Sequence, residues 1–113
     1  MQEHMEGLGT IRFMGAHDLQ LFADFNWNED ETEATISGYA KMKMLKWLTY
    51  QFSDSSSGRR EPSGLLRCST GLKSQFGNGE LKAFIEVAPD GALKGRVDIF
   101  KGMSLPFEGK RTV

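Results

Sequence analysis

Apolar and polar side chains alternate with a period of two along much of this chain, and this alternation limits its fold more than any other feature. Between Asp18 and Trp27 the odd positions are apolar, and from Ala34 to Met44 the even positions are apolar or small. A period of two is typical of strands that bury one face and expose the other. The pattern predicts two antiparallel strands joined by the polar stretch 28–31.

The predicted register of this first hairpin follows from a turn over residues 28–31. The pairs on the buried face are then Phe25 with Ala34, Ala23 with Ile36, and Leu19 with Ala40. On the outer face, the same register brings Asp18 close to Lys41. The predicted register therefore pairs apolar residues with each other on the buried face and opposite charges on the outer face.

Oxygen-bearing side chains also occur at every second position from Asp24 to Asp30, which raises the alternative of a calcium loop. A calcium loop of the helix-loop-helix kind needs a glycine at its sixth position and a carboxylate at its twelfth. Counted from Asp24, these positions hold Glu29 and Thr35. We therefore interpret the segment as the polar end of a hairpin and predict no metal site.

The segment Lys41–Phe52 is compatible with two secondary structures. It is rich in helix-forming residues, but its even positions are apolar except for Lys46. The alternation favours a strand with a bulge or bend at Leu45 and Lys46, where one strand would pass into the next. The alternative is an α+β fold with a helix at 41–52.

The next segments are a loop and a short strand. Residues 53–64 are rich in serine and glycine and are predicted to form a flexible loop. A short strand follows, with Leu66, Cys68, Thr70 and Leu72 on its inner face. Cys68 is therefore expected to be a small buried residue and not a nucleophile.

A second hairpin is predicted from Glu80 to Phe100. The sequence Pro89-Asp90-Gly91 fits a three-residue turn with glycine where a positive φ is required. This turn fixes the register of the two strands. The predicted pairs are Val87 with Leu93, Glu86 with Lys94, Phe84 with Arg96, Ala83 with Val97, Lys82 with Asp98, and Leu81 with Ile99.

Together these segments predict an all-β protein with an antiparallel meander of six or seven strands, forming a small barrel or sandwich. A chain of 113 residues fits a single β domain over 1–113. The ends, 1–8 and 103–113, are predicted to be loose.

Composition narrows the possible functions. The net charge of -1 gives no general attraction to nucleic acid or to an anionic membrane. The single cysteine rules out an internal disulfide, and the first residues lack a basic start and an apolar run. No apolar stretch is long enough for a membrane helix. We expect a soluble cytoplasmic protein.

Several aromatic side chains fall on predicted outward-facing positions among charged neighbours. A group of exposed aromatic residues on neighbouring strands marks a contact surface, unless a loop or a terminal segment covers it as a second small core. The residues predicted for this surface are Phe22, Tyr39, Lys41, Lys82, Phe84, Lys94, Arg96 and Phe100.

Three binding functions fit this pattern. The favoured one is protein contact through the aromatic and charged face, with self-association as a homodimer. The alternative is single-stranded nucleic acid, with bases stacked on Phe84 and Phe100. Its phosphates would then be attracted by Lys41, Lys82, Lys94 and Arg96. The third is a small apolar ligand inside the barrel, next to Met42 and Met44.

Catalytic motifs are absent from the sequence. Neither G-x-S-x-G nor a phosphate-binding glycine loop occurs, and His4 and His17 have no motif around them. We therefore predict a non-enzymatic protein with no catalytic residues, no cofactor and no metal ligands.

Overall fold

The computed structural model describes residues 1–11, 18–43, 46–74, 79–100 and 102–113, with only the backbone of residues 99 and 100. The described chain contains nine β-strands and no helix. The strands are β1 (Gln2–Ile11), β2 (Leu19–Trp27), β3 (Glu33–Lys43), β4 (Trp47–Phe52), β5 (Ser57–Arg60), β6 (Leu66–Ser74), β7 (Glu80–Val87), β8 (Ala92–Phe100) and β9 (Met103–Arg111).

The strands form a closed antiparallel barrel. Each strand pairs with the strands before and after it around the wall, and β9 returns to pair with β1. Both β4 and β5 lie between β3 and β6, so they share one position in the wall. The architecture is thus an eight-stranded barrel with one extra strand. The predicted all-β antiparallel barrel is confirmed, with more strands than the six or seven predicted.

The predicted hairpin of β7 and β8 is confirmed in register. Five of its six predicted pairs are present, and the observed register runs from Lys82 with Asp98 to Val87 with Leu93, one pair short of the predicted Leu81 with Ile99. Gly91 has φ 94°, and its N–H donates to the carbonyl of Ala88 at 2.9 Å. Positive φ at a glycine lets this short turn close without steric cost.

The predicted hairpin of β2 and β3 is also present, but its register differs by two residues. Phe25 lies opposite Ile36 and not opposite Ala34, which pairs with Trp27. The side-chain oxygen of Asn28 accepts hydrogen bonds from the backbone N–H groups of residues 32 and 33. These bonds close the turn one residue later than predicted, and a shift of two residues leaves every side chain on its predicted face.

The strand favoured for 41–52 is confirmed for residues 41–43 and 47–52, but the break between them is a reversal of the chain and not a bulge or bend. The chain reverses direction after β3, because Lys43 lies opposite Trp47 and Met42 lies opposite Leu48. The helix alternative at 41–52 is therefore wrong for the described residues. Leu45, one of the two residues predicted to form the break, lies outside the described residues.

The segments predicted to be loose are also part of the barrel wall. Residues 2–8 fall within β1, most of 103–113 forms β9, and residues 57–60 of the predicted loop 53–64 form β5. Each of these strands is paired on both sides over part of its length. Pairing with distant strands provides the hydrogen bonds that their weak local patterns did not indicate.

The barrel interior is filled by apolar side chains from all parts of the wall. The predicted inner residues of β6, including Cys68, Thr70 and Leu72, are buried. Phe25 is among the largest fully buried side chains and stacks near Trp27, with ring centroids 5.8 Å apart. Burying an aromatic side chain contributes roughly 1.5 to 3 kcal/mol, so this layer is a major source of stability.

Closure of the barrel depends on a close approach between β1 and β9. Gly9 lies opposite Gly109, and a Cβ atom added to Gly109 would lie 2.1 Å from the carbonyl oxygen of Leu8 and 2.6 Å from the Cα of Gly9. These neighbours are backbone atoms, which cannot rotate away. A side chain at position 109 would therefore separate the two strands.

We expect Gly109→Ala to reduce the free energy of unfolding by about 3 kcal/mol or more, the upper part of the range for overpacking. The matched control is Gly58→Ala in β5, where an added Cβ would meet only side-chain ends of Ile36, Phe25 and Leu66, at 3.3 to 3.6 Å. That change should cost less than about 1.5 kcal/mol. Chemical denaturation of the two variants measures both changes in the free energy of unfolding. Equal losses of stability would contradict the proposed close approach of β1 and β9.

Candidate functional site

The predicted contact residues form two groups. Phe22 and Tyr39 stack on β2 and β3, with ring centroids 4.7 Å apart, and the Lys41 ammonium lies 5.9 Å from the Tyr39 ring. On β7 and β8, the guanidinium of Arg96 lies 4.5 Å from the centroid of the Phe84 ring. The side chain of Phe100 lies outside the described residues.

The two groups lie on opposite sides of the barrel. Going around the wall, β2 and β3 are separated from β7 and β8 by β1 and β9 on one side, and by the shared position of β4 and β5 together with β6 on the other. A single contact with a flat partner cannot include both groups. The candidate surface therefore has to be one side or the other.

The outer face of β6 to β9, which we call the Phe84 face, is the better developed of the two. One row of residues across these strands alternates in charge, in the order Arg67, Glu86, Lys94 and Glu108. Glu86 lies 3.6 Å from Arg67 and 3.9 Å from Lys94. Exposed ion pairs of this kind add little stability, about 0 to 1 kcal/mol each.

The next row along the Phe84 face is aromatic and apolar at its centre. It consists of Phe84, Arg96 and Pro106, which lie opposite one another on β7, β8 and β9. Arg96 covers the Phe84 ring and lies 3.4 Å from Asp98. The two rows line an open groove of about 500 Å³.

The cations of the Phe84 face lie close to carboxylates, and Lys82 and Arg96 share Asp98. Lys82 lies opposite Asp98 and Lys94 lies opposite Glu86, while Arg96 already contacts Asp98. The cations predicted to attract phosphates therefore each have a carboxylate on the neighbouring strand or close by. Such a surface offers shape and aromatic contact, while its interspersed carboxylates weaken the positive field that would attract phosphates.

The described residues enclose a small cavity in the barrel interior. The interior cavity between Leu19, Met42, Thr70 and Phe107 measures about 10 Å³, roughly the space that one water molecule requires. Eight-stranded barrels are often narrow enough for side chains to fill most of the interior. Met44, predicted to line a ligand cavity, lies outside the described residues.

Among the described residues, Cys68 and His4 have pKa values that depart clearly from their ordinary values. Burial raises the pKa of the Cys68 thiol to about 12, so the reactive thiolate does not form near neutral pH. His4 contacts Asp24 through Nδ1 at 2.6 Å and Glu6 through Nε2 at 3.3 Å. When His4 is protonated, both of its ring nitrogens can donate to these carboxylates. His17 lies outside the described residues.

One charged cluster was not predicted from the sequence, and it closes the barrel end where β1 begins. Glu3 accepts hydrogen bonds from the Trp27 indole N–H at 3.0 Å, from Arg60 at 3.3 Å and from Arg111 at 3.2 Å. The Arg60 guanidinium also lies 4.3 Å from the Trp27 ring. These residues come from four strands, and three of them fall in segments predicted to be loose. The only signal in the sequence was Trp27, whose buried indole N–H needs an acceptor.

We expect Glu3→Gln to lower the free energy of unfolding by about 1 to 3 kcal/mol, because one amide oxygen cannot replace two charged acceptors. The control is Glu31→Gln, since Glu31 lies 4.0 Å from Arg60 and its side chain is 45% exposed. That change should stay within about 0.5 kcal/mol. Denaturation curves of both variants provide the comparison, and equal effects would show that Glu3 does not anchor the cluster.

Stability should also depend on the ionisation of His4. The hydrogen bond to Asp24, followed by that to Glu6, raises the pKa of His4 above its ordinary value of 6.5. Because His4 has a higher pKa in the folded than in the unfolded protein, its protonation stabilises the fold. This stabilisation is fully present at a pH below the pKa of His4 in the unfolded protein. It is lost as the pH rises through the pKa of His4 in the folded protein. His4→Gln should therefore destabilise the protein more at pH 5.5 than at pH 8.5. An NMR titration should show a pKa above 6.5 that falls in Asp24→Asn, and a wild-type pKa below 6.5 would disprove this account.

Comparisons with known proteins do not extend this description. No family model, curated protein or solved structure matches the chain. Within the described residues there is no helix that could cross a membrane, and no group of three or more metal-binding side chains. The Phe84 face is thus identified by its geometry alone.

Proposed function

We propose that this protein is a non-enzymatic binding module that contacts another protein through the Phe84 face. The observation that carries this proposal is the pair of Phe84 and Arg96, which forms the floor of an open groove on a regular sheet. We place this activity in the cytoplasm, where the free thiol of Cys68 would remain reduced.

Aromatic residues and arginine are enriched among the residues that dominate protein-binding energy. Arg96 presents one face of its guanidinium to Phe84, and its side chain remains 54% exposed. The opposite face of the guanidinium is then available to an aromatic or carboxylate group of a partner. Because both residues lie on paired strands, little conformational entropy is lost when they bind.

The other two functions receive less support from the geometry. The interspersed carboxylates of the Phe84 face weaken its attraction for a phosphate backbone, although Phe84 itself could stack on a base. The interior cavity of about 10 Å³ is too small for an apolar ligand. Protein contact is therefore the function that the geometry supports best.

The proposal is tested by the affinity of a partner captured from the cells in which the protein occurs. Phe84→Glu should weaken binding of that partner about 30-fold or more, which corresponds to the loss of a residue worth at least 2 kcal/mol. Isothermal titration calorimetry measures the change directly. Circular dichroism should confirm that the variant keeps its fold.

The matched control is Phe22→Glu, the same substitution at another half-buried aromatic residue of the outer wall, on the opposite side of the barrel. It should leave the affinity unchanged. Loss of binding in Phe22→Glu with no loss in Phe84→Glu would refute the assignment of the contact surface.

A further inference from the structure

We infer that the partner of the Phe84 face is a second copy of this chain, bound about a two-fold axis that runs parallel to β7 and β8 and between them. This inference rests on the proposed function, because it uses the same surface. It follows from the way in which complementary residues are arranged across these two strands.

The axis exchanges the two strands when the faces of two copies meet. A two-fold axis that lies in the contact plane and parallel to the strands places β7 of one copy over β8 of the other, and keeps each row at its own height. Every residue of β7 then faces the residue of β8 that is its neighbour within one chain. Cross-strand pairs within a chain therefore determine which residues meet between chains.

Each outward-facing pair of these strands is complementary. Glu86 lies opposite Lys94, and Lys82 lies opposite Asp98. Under the two-fold axis, Glu86 of each copy faces Lys94 of the other, and Lys82 faces Asp98. Opposite charges are thus neighbours both within and between chains, while like charges lie diagonally, where their repulsion is weaker.

The aromatic row obeys the same rule. Phe84 lies opposite Arg96 within a chain, with the guanidinium 4.5 Å from the ring centroid. In the pair of copies, each Arg96 faces the Phe84 ring of the other copy as well as its own. Stacking of a guanidinium between two aromatic rings is a favourable cation–π arrangement.

The outer row continues this complementarity to the flanking strands. Arg67 on β6 and Glu108 on β9 lie at the two ends of the charged row, so the axis places each over the other. The two-fold axis places this row over a copy of itself that runs in the opposite direction. Because the four charges alternate in sign, each charge then faces a charge of opposite sign. This property makes the surface self-complementary.

The opposite side of the barrel lacks this property. An axis between β2 and β3 would place Asp24 over Ser37 and Gln20 over Lys41, so that no pair of opposite charges meets. Only Phe22 and Tyr39 would be matched there. Charge complementarity therefore selects the Phe84 face as the one that recognises its own copy.

The experiment uses two charge reversals that should fail alone and succeed together. In Glu86→Lys, two lysines would face each other across the contact, and in Lys94→Glu two glutamates would do so. Each variant should dimerise at least about tenfold more weakly than the wild type, because like charges at an interface are costly. A mixture of the two variants should form a heterodimer, since the lysines at both positions of one copy would then face the glutamates at both positions of the other.

Native mass spectrometry of the mixture distinguishes the heterodimer by mass, and sedimentation measures the dissociation constants. The double variant Glu86→Lys with Lys94→Glu should dimerise as the wild type does. Lys41→Glu, a reversal of the same type on the opposite side of the barrel, is the control and should not change dimerisation.

A wild type that remains monomeric up to about 1 mM would overturn the inference. If that monomer bound a different protein in a Phe84-dependent manner, the proposed function would remain. Dimerisation that is insensitive to Phe84→Glu and to both charge reversals would overturn the inference and remove self-association as support for the proposed function. Dimerisation that is weakened by the single reversals but not restored in the mixture would disprove the two-fold arrangement.

Discussion

The pairing of β1 with β9 is the constraint on which the rest of the structure depends. These strands lie near opposite ends of the sequence, and they meet over the five residue pairs from Gly7 with Arg111 to Ile11 with Phe107. Joining such distant segments costs loop-closure entropy, which the sheet hydrogen bonds and the buried interior must offset. Gly9 and Gly109 permit this approach because backbone fills the space that side chains would otherwise occupy.

Closure of the barrel also determines which residues can belong to one surface. In an open sheet, aromatic residues on β2, β3, β7 and β8 could belong to one broad surface. In a closed barrel, Phe22 and Phe84 point away from each other, and the interior cavity among the described residues measures only about 10 Å³. The proposed contact surface therefore lies on the outer wall, and on one side of it.

Local sequence patterns predicted the parts of the fold that local interactions determine. The hairpin of β7 and β8 could be predicted because turn, alternation and charge at Gly91, Val87 and Glu86 agree with one another. For the hairpin of β2 and β3, the predicted register differs from the observed one by two residues. The Asn28 side chain in the turn sets the observed register. Alternation alone cannot detect a shift of two residues, because it leaves every side chain on the same face.

The strands that close the barrel could not be predicted in this way. Residues 1–8 and 103–113 have weak alternation, and their partners lie far away in the sequence. The contact surface could likewise be predicted only in part. The pair of Phe84 and Arg96 was predicted from the pattern of one hairpin. The separation of this pair from Phe22 follows from closure of the barrel, which no local pattern indicates. The cluster around Glu3 was missed for the same reason, because its members come from four strands.

Closure can be measured directly by NMR. Thr112 donates its N–H to the carbonyl of Glu6 at 2.9 Å, which places Gly9 and Gly109 at a position of the ladder where Cα atoms approach most closely. We expect a strong cross-peak between the Hα atoms of Gly9 and Gly109, together with slow exchange of the Leu8 and Lys110 amide protons. Absence of that cross-peak, with rapid exchange at both amides, would show an open sheet in place of the closed barrel.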